Sequence, residues 1–502
     1  MRVPDVSADH SAIPNPTDPQ PCESLSDATP PDSGSELAQD FGTPAELPPH
    51  DILLELVNIF FDRYYAQYPC FHKASILDEI KSRQLYTTSR SLLYALCTSA
   101  SQHHHDPAIR AKQAAFYEQS KFEYDITLKN PRTGIRVVQT ALILILHAGS
   151  VGDFSAGWFY LGKAWRQVCA LGINRMDCED DAYSQFYQPS YCQPLPGAEL
   201  EKEEWRRSFW LLLMMDRGHS WPTGWPSAID DRQININLPI SDVEFQNMTM
   251  QTRARTRRAI SFTRDLNALV KSLVSPEDPL NTFQYLAVAY CLLGRAAEMI
   301  HSPQMPPSSP ESMKERDDID QCLIRFRLSL PQNVTSLLES PSELRFHVVW
   351  LNCILNATTI LLHYQDAKGT SSNSLGSTVI LAAENNVQLI KDASRISIGL
   401  LLSAHIGLSL YISACSFIIE WKLSGNDRYK ADIDLYLLVF DRFYEVSQFM
   451  GLKCKLALEH DMARDMESIM ELRDRGFRGL LADCSKWSHI REGLAKTGLM
   501  IT

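Results

Sequence analysis

From Asp51 to the end of the chain, apolar residues return at three- and four-residue steps in nearly every segment, and this period restricts the fold more than any other feature. "DILLELVNIFFDRYYAQYPCF" sets Leu53, Leu56, Val57, Phe60, Phe61 and Tyr64 at helical spacing and stops near Pro69. "SRSLLYALCTSASQ" repeats the stripe, and "TGIRVVQTALILILHAG" is apolar on most sides, the pattern of a helix buried all round. In "SAGWFYLGKAWRQVCALGINR", Trp158, Leu161, Trp165 and Val168 share a face, and Gly172 before Ile173 predicts a left-handed cap. Strand-like alternation is confined to Ile234, Ile236 and Leu238, ending at Pro239. The spacing predicts an all-α protein, a large multi-helix bundle-like domain.

Residues 1–50 break the pattern. They hold nine acidic residues, one Arg, ten prolines and a single aromatic, Phe41. Such a segment buries too little apolar area to offset its ordering entropy, so a disordered acidic tail is expected. It carries two thirds of the formal net charge of −12, which leaves the remainder only mildly acidic. That balance disfavours direct nucleic-acid binding, because neutralising phosphates needs a concentrated basic face.

The twelve cysteines form no CxxC pair and fall mostly in apolar helical stretches, as reduced core thiols do. "MRVPDVSADHSAIPNP" has no apolar run of the secretory kind. The uncharged stretch from Ile396 to Ile419 is long enough to span a bilayer. Its serines, glycines and His405 fit a central bundle helix better, and no membrane partner is expected.

The most informative stretch runs from Glu204 to Pro239: "EWRRSFWLLLMMDRGHSWPTGWPSAIDDRQININLP". It reads as two arginines before an apolar helix and an Asp-Arg pair at its end. At 100° per residue, Trp205, Phe209, Leu212 and Asp216 share one side, so Asp216 points into packed structure. A lone carboxylate there is costly, and it is expected to pair with an arginine or to accept from backbone N–H groups of a following turn. "RGHSWPTGWP", with Pro222, Gly224 and Pro226, is the predicted turn. The expected result is a clasp pinning "SAIDDRQININLP" along the core. Asp230 and Asp231 are adjacent in an extended segment and face opposite ways, which argues against a joint acid-base role.

This stretch resembles the hallmark of the fungal transcription-factor middle homology region. The matching positions are Arg206, Arg207, Phe209, Trp210, Asp216, Arg217, Gly224, Pro226, Ile229, Asp230, Asp231, Leu238 and Pro239. "YYAQYPCFHKASIL" and "VVQTALILILHAGSVGDFSAGWFYLGKAWRQVCALGINR" resemble its opening and central helices, so the likeness covers roughly residues 50–250. It implies a tail at 1–50, a regulatory core at 51–245 and a helical part of the same body at 246–502. It implies a nuclear transcriptional regulator of RNA polymerase II genes, in secondary metabolism or carbon use, and no enzyme. Members of the family carry a six-cysteine binuclear zinc cluster. Before residue 70 this chain has only Cys22 and no basic run, so it is expected to hold no such cluster. DNA is then reached only indirectly or through a missing domain. Expected partners are proteins, a second copy or a full-length zinc-cluster relative, with a small-molecule effector among the helices. The alternative is a non-DNA-binding protein that modulates such a relative by heterodimerising.

Three other motifs carry weaker signals. Consecutive histidines in "HHHDP" (His103 to Pro107) diverge by 100° on a helix, which opposes a shared metal ion and favours a helix-end loop. Arg253, Arg255, Arg257 and Arg258 in "TRARTRR" form a candidate nuclear-import patch whose bland reading is a solvated helix face. "GHSWP" lacks the second glycine and the strand of a nucleophile elbow.

Overall fold

The computed structural model describes residues 45–128, 134–178, 197–252, 259–273, 281–302, 309–364, 375–482 and 484–499. The segment from residue 1 to 44, including Cys22, lies outside them, as do Arg253, Arg255, Arg257 and Arg258. From Ala45 to Thr502 the chain forms one compact unit.

Helices of twelve or more residues are numbered here in chain order. They are α1 (His50–Arg63), α2 (Arg90–Ser101), α3 (Gln113–Thr127), α4 (Ile135–Val151), α5 (Phe154–Ala170), α6 (Glu199–Thr223) and α7 (Thr282–His301). Then follow α8 (Pro310–Ser329), α9 (Arg345–His363), α10 (Ser377–Ile396), α11 (Ala404–Ser424), α12 (Arg428–Val446), α13 (Gln448–Met462) and α14 (Cys484–Lys496). Among the described residues no strand forms, only a bridge between Asn237 and Ser261. Its neighbours Leu238 N–H to Ile260 O (2.7 Å) and Phe262 N–H to Ile236 O (3.2 Å) place the predicted extended piece along the body.

The local starts and stops follow from side chains. Asp153 caps α5 by accepting from Ala156 N–H. Gly172, at φ 72°, ends that helical stretch in the left-handed region, and Ile173 after it is wholly buried, as the cap rule predicts. Helix α4 is buried nearly along its whole length, as an all-round apolar segment requires. It packs on α2, α5, α6 and α13. Helix α6 in turn lies against α4, α5 and α7, while α9 joins α7 to α10 and α11. One continuous apolar core runs through these layers.

Among the described residues two helices, Arg345–His363 and Ala404–Ser424, are long and apolar enough to cross a membrane, and 78% of each apolar window is buried inside the protein. The uncharged stretch read from the sequence is broken before α11, by a short turn of helix at Ile398–Leu401.

The boundaries of the signature helix differ from those the sequence suggested. Arg206 and Arg207 do not precede α6 but lie within it, and Asp216 and Arg217 sit two turns before its end. Helix α6 passes through Pro222. A proline in the last turn removes a single backbone bond, and Ser220 and Thr223 hydroxyls donate to the carbonyls of Asp216 and His219, both at 2.8 Å. The helix stops at Gly224, whose φ of 69° suits a residue without a side chain. A Cβ there would lie 2.8 Å from His301 Nδ1.

Candidate functional site

The signature residues form a buried ionic clasp along α6. Arg206 presents its fork to Asp177, with Nε to Oδ2 at 3.0 Å and Nη2 to Oδ1 at 2.7 Å, and reaches Glu203 through Nη1. Asp177 also accepts the Asn237 backbone N–H at 2.7 Å, so one arginine fixes the entry to the extended segment. Arg207 is fully buried and donates to Pro69 O, Ile240 O, Glu203 and Asp242. Its guanidinium lies over Phe245 and Phe283, 4.4 and 5.1 Å from the ring centres. Glu203 completes the circuit by accepting Ile240 N–H at 2.9 Å. Glu204, behind it, pairs with Arg136 and accepts from His72 N–H and Gln139.

The second half of the clasp answers the question of Asp216. Its carboxylate accepts from Ala228 N–H at 2.8 Å, from Ile229 N–H at 3.2 Å and from Arg217 Nη1 at 2.8 Å. Both predicted kinds of partner are present. The amides come from the segment beyond the predicted turn, because α6 itself occupies residues 218–223. Burial pushes the Asp216 carboxyl above its ordinary value, against the pull of Arg217 and the two amides. Burial works against the charge on Arg217 as well, and Asp216 and Asp231 outweigh it.

Arg217 also donates to Ile229 O at 2.8 Å and Asp231 Oδ1 at 2.6 Å. Asp230 faces elsewhere, accepting from Arg232 at its backbone N–H and its guanidinium. The two adjacent carboxylates therefore share no site. Phe209 is wholly buried, and Trp210 donates from its ring to Asn237 O at 2.7 Å. Ile229 and Leu238 sit in the core, and Pro239 O accepts from Asn281 and Gln284 of the α7 start. Pro226 is exposed. The clasp is a structural device, with the signature carboxylates satisfied by fixed donors.

Beyond the clasp, the second half of α6 forms one wall of a cavity of about 650 Å³. Met214, Met215, Gly218, His219 and Trp221 come from this helix, Gly149 from α4, Tyr290 from α7, His405 from α11, Lys453 from α13 and Trp487 from α14. His219 Nδ1 lies 2.8 Å from Met215 O, and a carbonyl can only accept, so the proton sits on Nδ1 and Nε2 is left as an acceptor. Burial holds His219 below its ordinary value and presses His405 down to about 3. Both rings are neutral near pH 7.

The histidine run does assemble a group. Glu55, His104 and His105 place ligand-type atoms within 4.8 Å of one another, because His104 and His105 leave the helix and their directions are no longer set by 100° steps. His104 Nε2 is buried in this group without a hydrogen-bond partner. His104 Nδ1 accepts the Asp106 N–H at 3.1 Å, which puts the ring proton on Nε2, the atom that faces Glu55. Ligation through that Nε2 would need it bare, with the ring proton moved to Nδ1 and the Asp106 amide released.

The fold is thus a helical body whose ionic groups lock its own backbone, with an apolar chamber beside them. The profile described as "Fungal specific transcription factor domain" matches residues 57–330, more than half of the chain, and the chain belongs to that family. The clasp and its signature fall inside the match.

The citrinin biosynthesis transcriptional activator mrl3 of Monascus ruber is 26% identical over 198 residues, covering 38% of this chain and 36% of that protein. The Zn(2)-C6 fungal-type transcription factor FTF1c of Fusarium oxysporum f. sp. lycopersici is 28% identical over 213 residues, 41% of this chain and 22% of the relative. An uncharacterised transcriptional regulatory protein of Schizosaccharomyces pombe is 26% identical over 270 residues, covering 51% and 26%. The chain thus spans about a third or less of the length of these curated relatives. The family and these relatives are transcription factors, not enzymes.

Proposed function

We propose that this chain is the ligand-responsive body of a nuclear transcriptional regulator, in which the chamber beside α6 receives an effector. The observation that carries the reading is that a single helix bears both the family's ionic clasp and one wall of the chamber. Occupancy of the chamber then bears directly on the element that orients the segment from Ile229 to Ile240. Family membership and the names of the relatives support regulation of transcription. The mildly acidic body favours contact with DNA through a protein partner or through a DNA-binding segment outside the described residues. A second copy of the chain or a zinc-cluster relative fits that partner role.

The test is a fungal reporter strain in which the chain is fused to a heterologous DNA-binding domain. The fusion should change reporter output relative to that domain alone. Gly149→Phe, which builds a ring into the chamber from a position with nothing within 4 Å of a new Cβ, should lock the output at one level across growth conditions. Output equal to that of the bare DNA-binding domain, in every condition, would defeat the proposal.

A further inference from the structure

The chamber holds an unbalanced charge. None of its lining residues is an Asp or Glu; His219, His301 and His405 are its imidazoles, the first and last of them held neutral by burial, and Lys453 is its one lysine or arginine. Lys453 is half-buried and lines the chamber. Among the described residues it has no carboxylate partner and no hydrogen bond, and burial lowers its basicity. It rests instead over two ring faces, 4.4 Å from the centre of Phe154 and 5.0 Å from that of Trp487. Ring faces offset only part of the cost of taking an ammonium out of water.

The buried lysine on the neighbouring helix is paired within the fold. Lys486, on the helix packed against α13, meets Asp461 at 2.5 Å and donates to Leu480 O at 2.9 Å. Lys391 bonds Asp432, and Lys422 donates to Arg464 O. Lys453 departs from this pattern on the wall of a chamber, where an outside molecule could supply the missing anion.

The walls limit what that molecule is. Trp221, Trp225, Trp487 and Phe154 offer flat surfaces, and Met214, Met215 and Met450 adapt to irregular outlines. A volume of about 650 Å³ is that of a site for one drug-sized ligand.

We propose that the chamber recognises an apolar, largely aromatic carboxylic acid, whose carboxylate pairs with Lys453 Nζ while its ring system lies among the tryptophans and methionines. His219 Nε2 offers an acceptor to a hydroxyl on the same molecule. The proposal rests on reading the chamber as the effector site, and it names the ligand class.

The test is calorimetric titration of the 502-residue chain with 2-naphthoate and with 2-naphthalenemethanol, which has the same rings and no carboxylate. The wild-type chain should bind the acid about tenfold or more tightly than the alcohol. Lys453→Met, which keeps the length of the side chain and removes the charge, should bind both equally and leave the alcohol's affinity unchanged. Gly149→Phe should lose both ligands. Circular dichroism melting of each variant separates loss of binding from loss of fold. Equal affinity of the wild-type chain for acid and alcohol, or a preference for the acid that persists in Lys453→Met, overturns the acid proposal and leaves the chamber reading standing. Binding of neither probe, or binding that survives Gly149→Phe, overturns both.

Discussion

Gly294 of α7 faces the aliphatic part of Arg217 so closely that a Cβ on the glycine would lie 2.5 Å from Arg217 Cδ and 2.7 Å from Nε. The clasp therefore has a partner that is defined by the absence of a side chain. Gly294→Ala should destabilise the protein by about 1 to 3 kcal/mol despite the better helix propensity of alanine, because the displaced guanidinium disturbs Asp216 and Asp231 together. Urea unfolding followed by circular dichroism measures it. A gain in stability would show that Arg217 has room to move.

Arg207 is the test of directional hydrogen bonding in the first half of the clasp. Four of its five donors serve Pro69 O, Ile240 O, Glu203 and Asp242, and a lysine ammonium cannot reach that spread of acceptors. Arg207→Lys keeps the charge and should still cost about 2 to 4 kcal/mol in urea unfolding. A variant as stable as the wild-type chain would mean that charge alone holds the segment.

His405 sets a pH window. Burial takes it from 6.5 down to about 3, so the folded chain holds a neutral ring that the unfolded chain protonates. The depressed value adds stability above about pH 6.5, and that stability is lost as the pH falls towards 3. His405 stacks on Trp350 at a centroid distance of 4.0 Å, and His405→Phe retains a flat ring there. Between pH 7 and pH 4 the wild-type chain should lose roughly 3 kcal/mol more than the variant. Parallel acid slopes for the two proteins would place the titration elsewhere, with His147, His219 and His347 as the other buried candidates.

Zinc should leave the melting temperature unchanged. The tautomer imposed on His104 by the Asp106 amide turns a proton towards the space between Glu55 and His105. Scanning fluorimetry with and without added zinc checks this, and a stabilisation abolished by His105→Ala would reverse the assignment.

Much of this was legible in the residues. The 3.6-residue period gives the helices, and the apolar face carrying Asp216 implies that its carboxylate is paired. What failed was local: Pro222 and Gly224 read as a turn, whereas the helix runs to Thr223 and the amides come from Ala228 and Ile229. Asp177 and Gly294 carry no local mark of their roles, since each acts on an arginine far away in sequence. The chamber was equally hidden. Gly149, Trp221, Lys453 and Trp487 belong to four helices brought together by tertiary packing, and in "QFMGLKCKLALEH" Lys453 looks like any surface lysine.

Pro222 has one more effect. It has no N–H to return to the carbonyl four residues earlier, so Gly218, itself on the chamber wall, is left with a backbone oxygen lacking its usual helical donor. Gly218 also has no side chain to cover that oxygen. The proline thus leaves a main-chain acceptor on a residue of the chamber wall, in a lining that also holds His219 and Lys453.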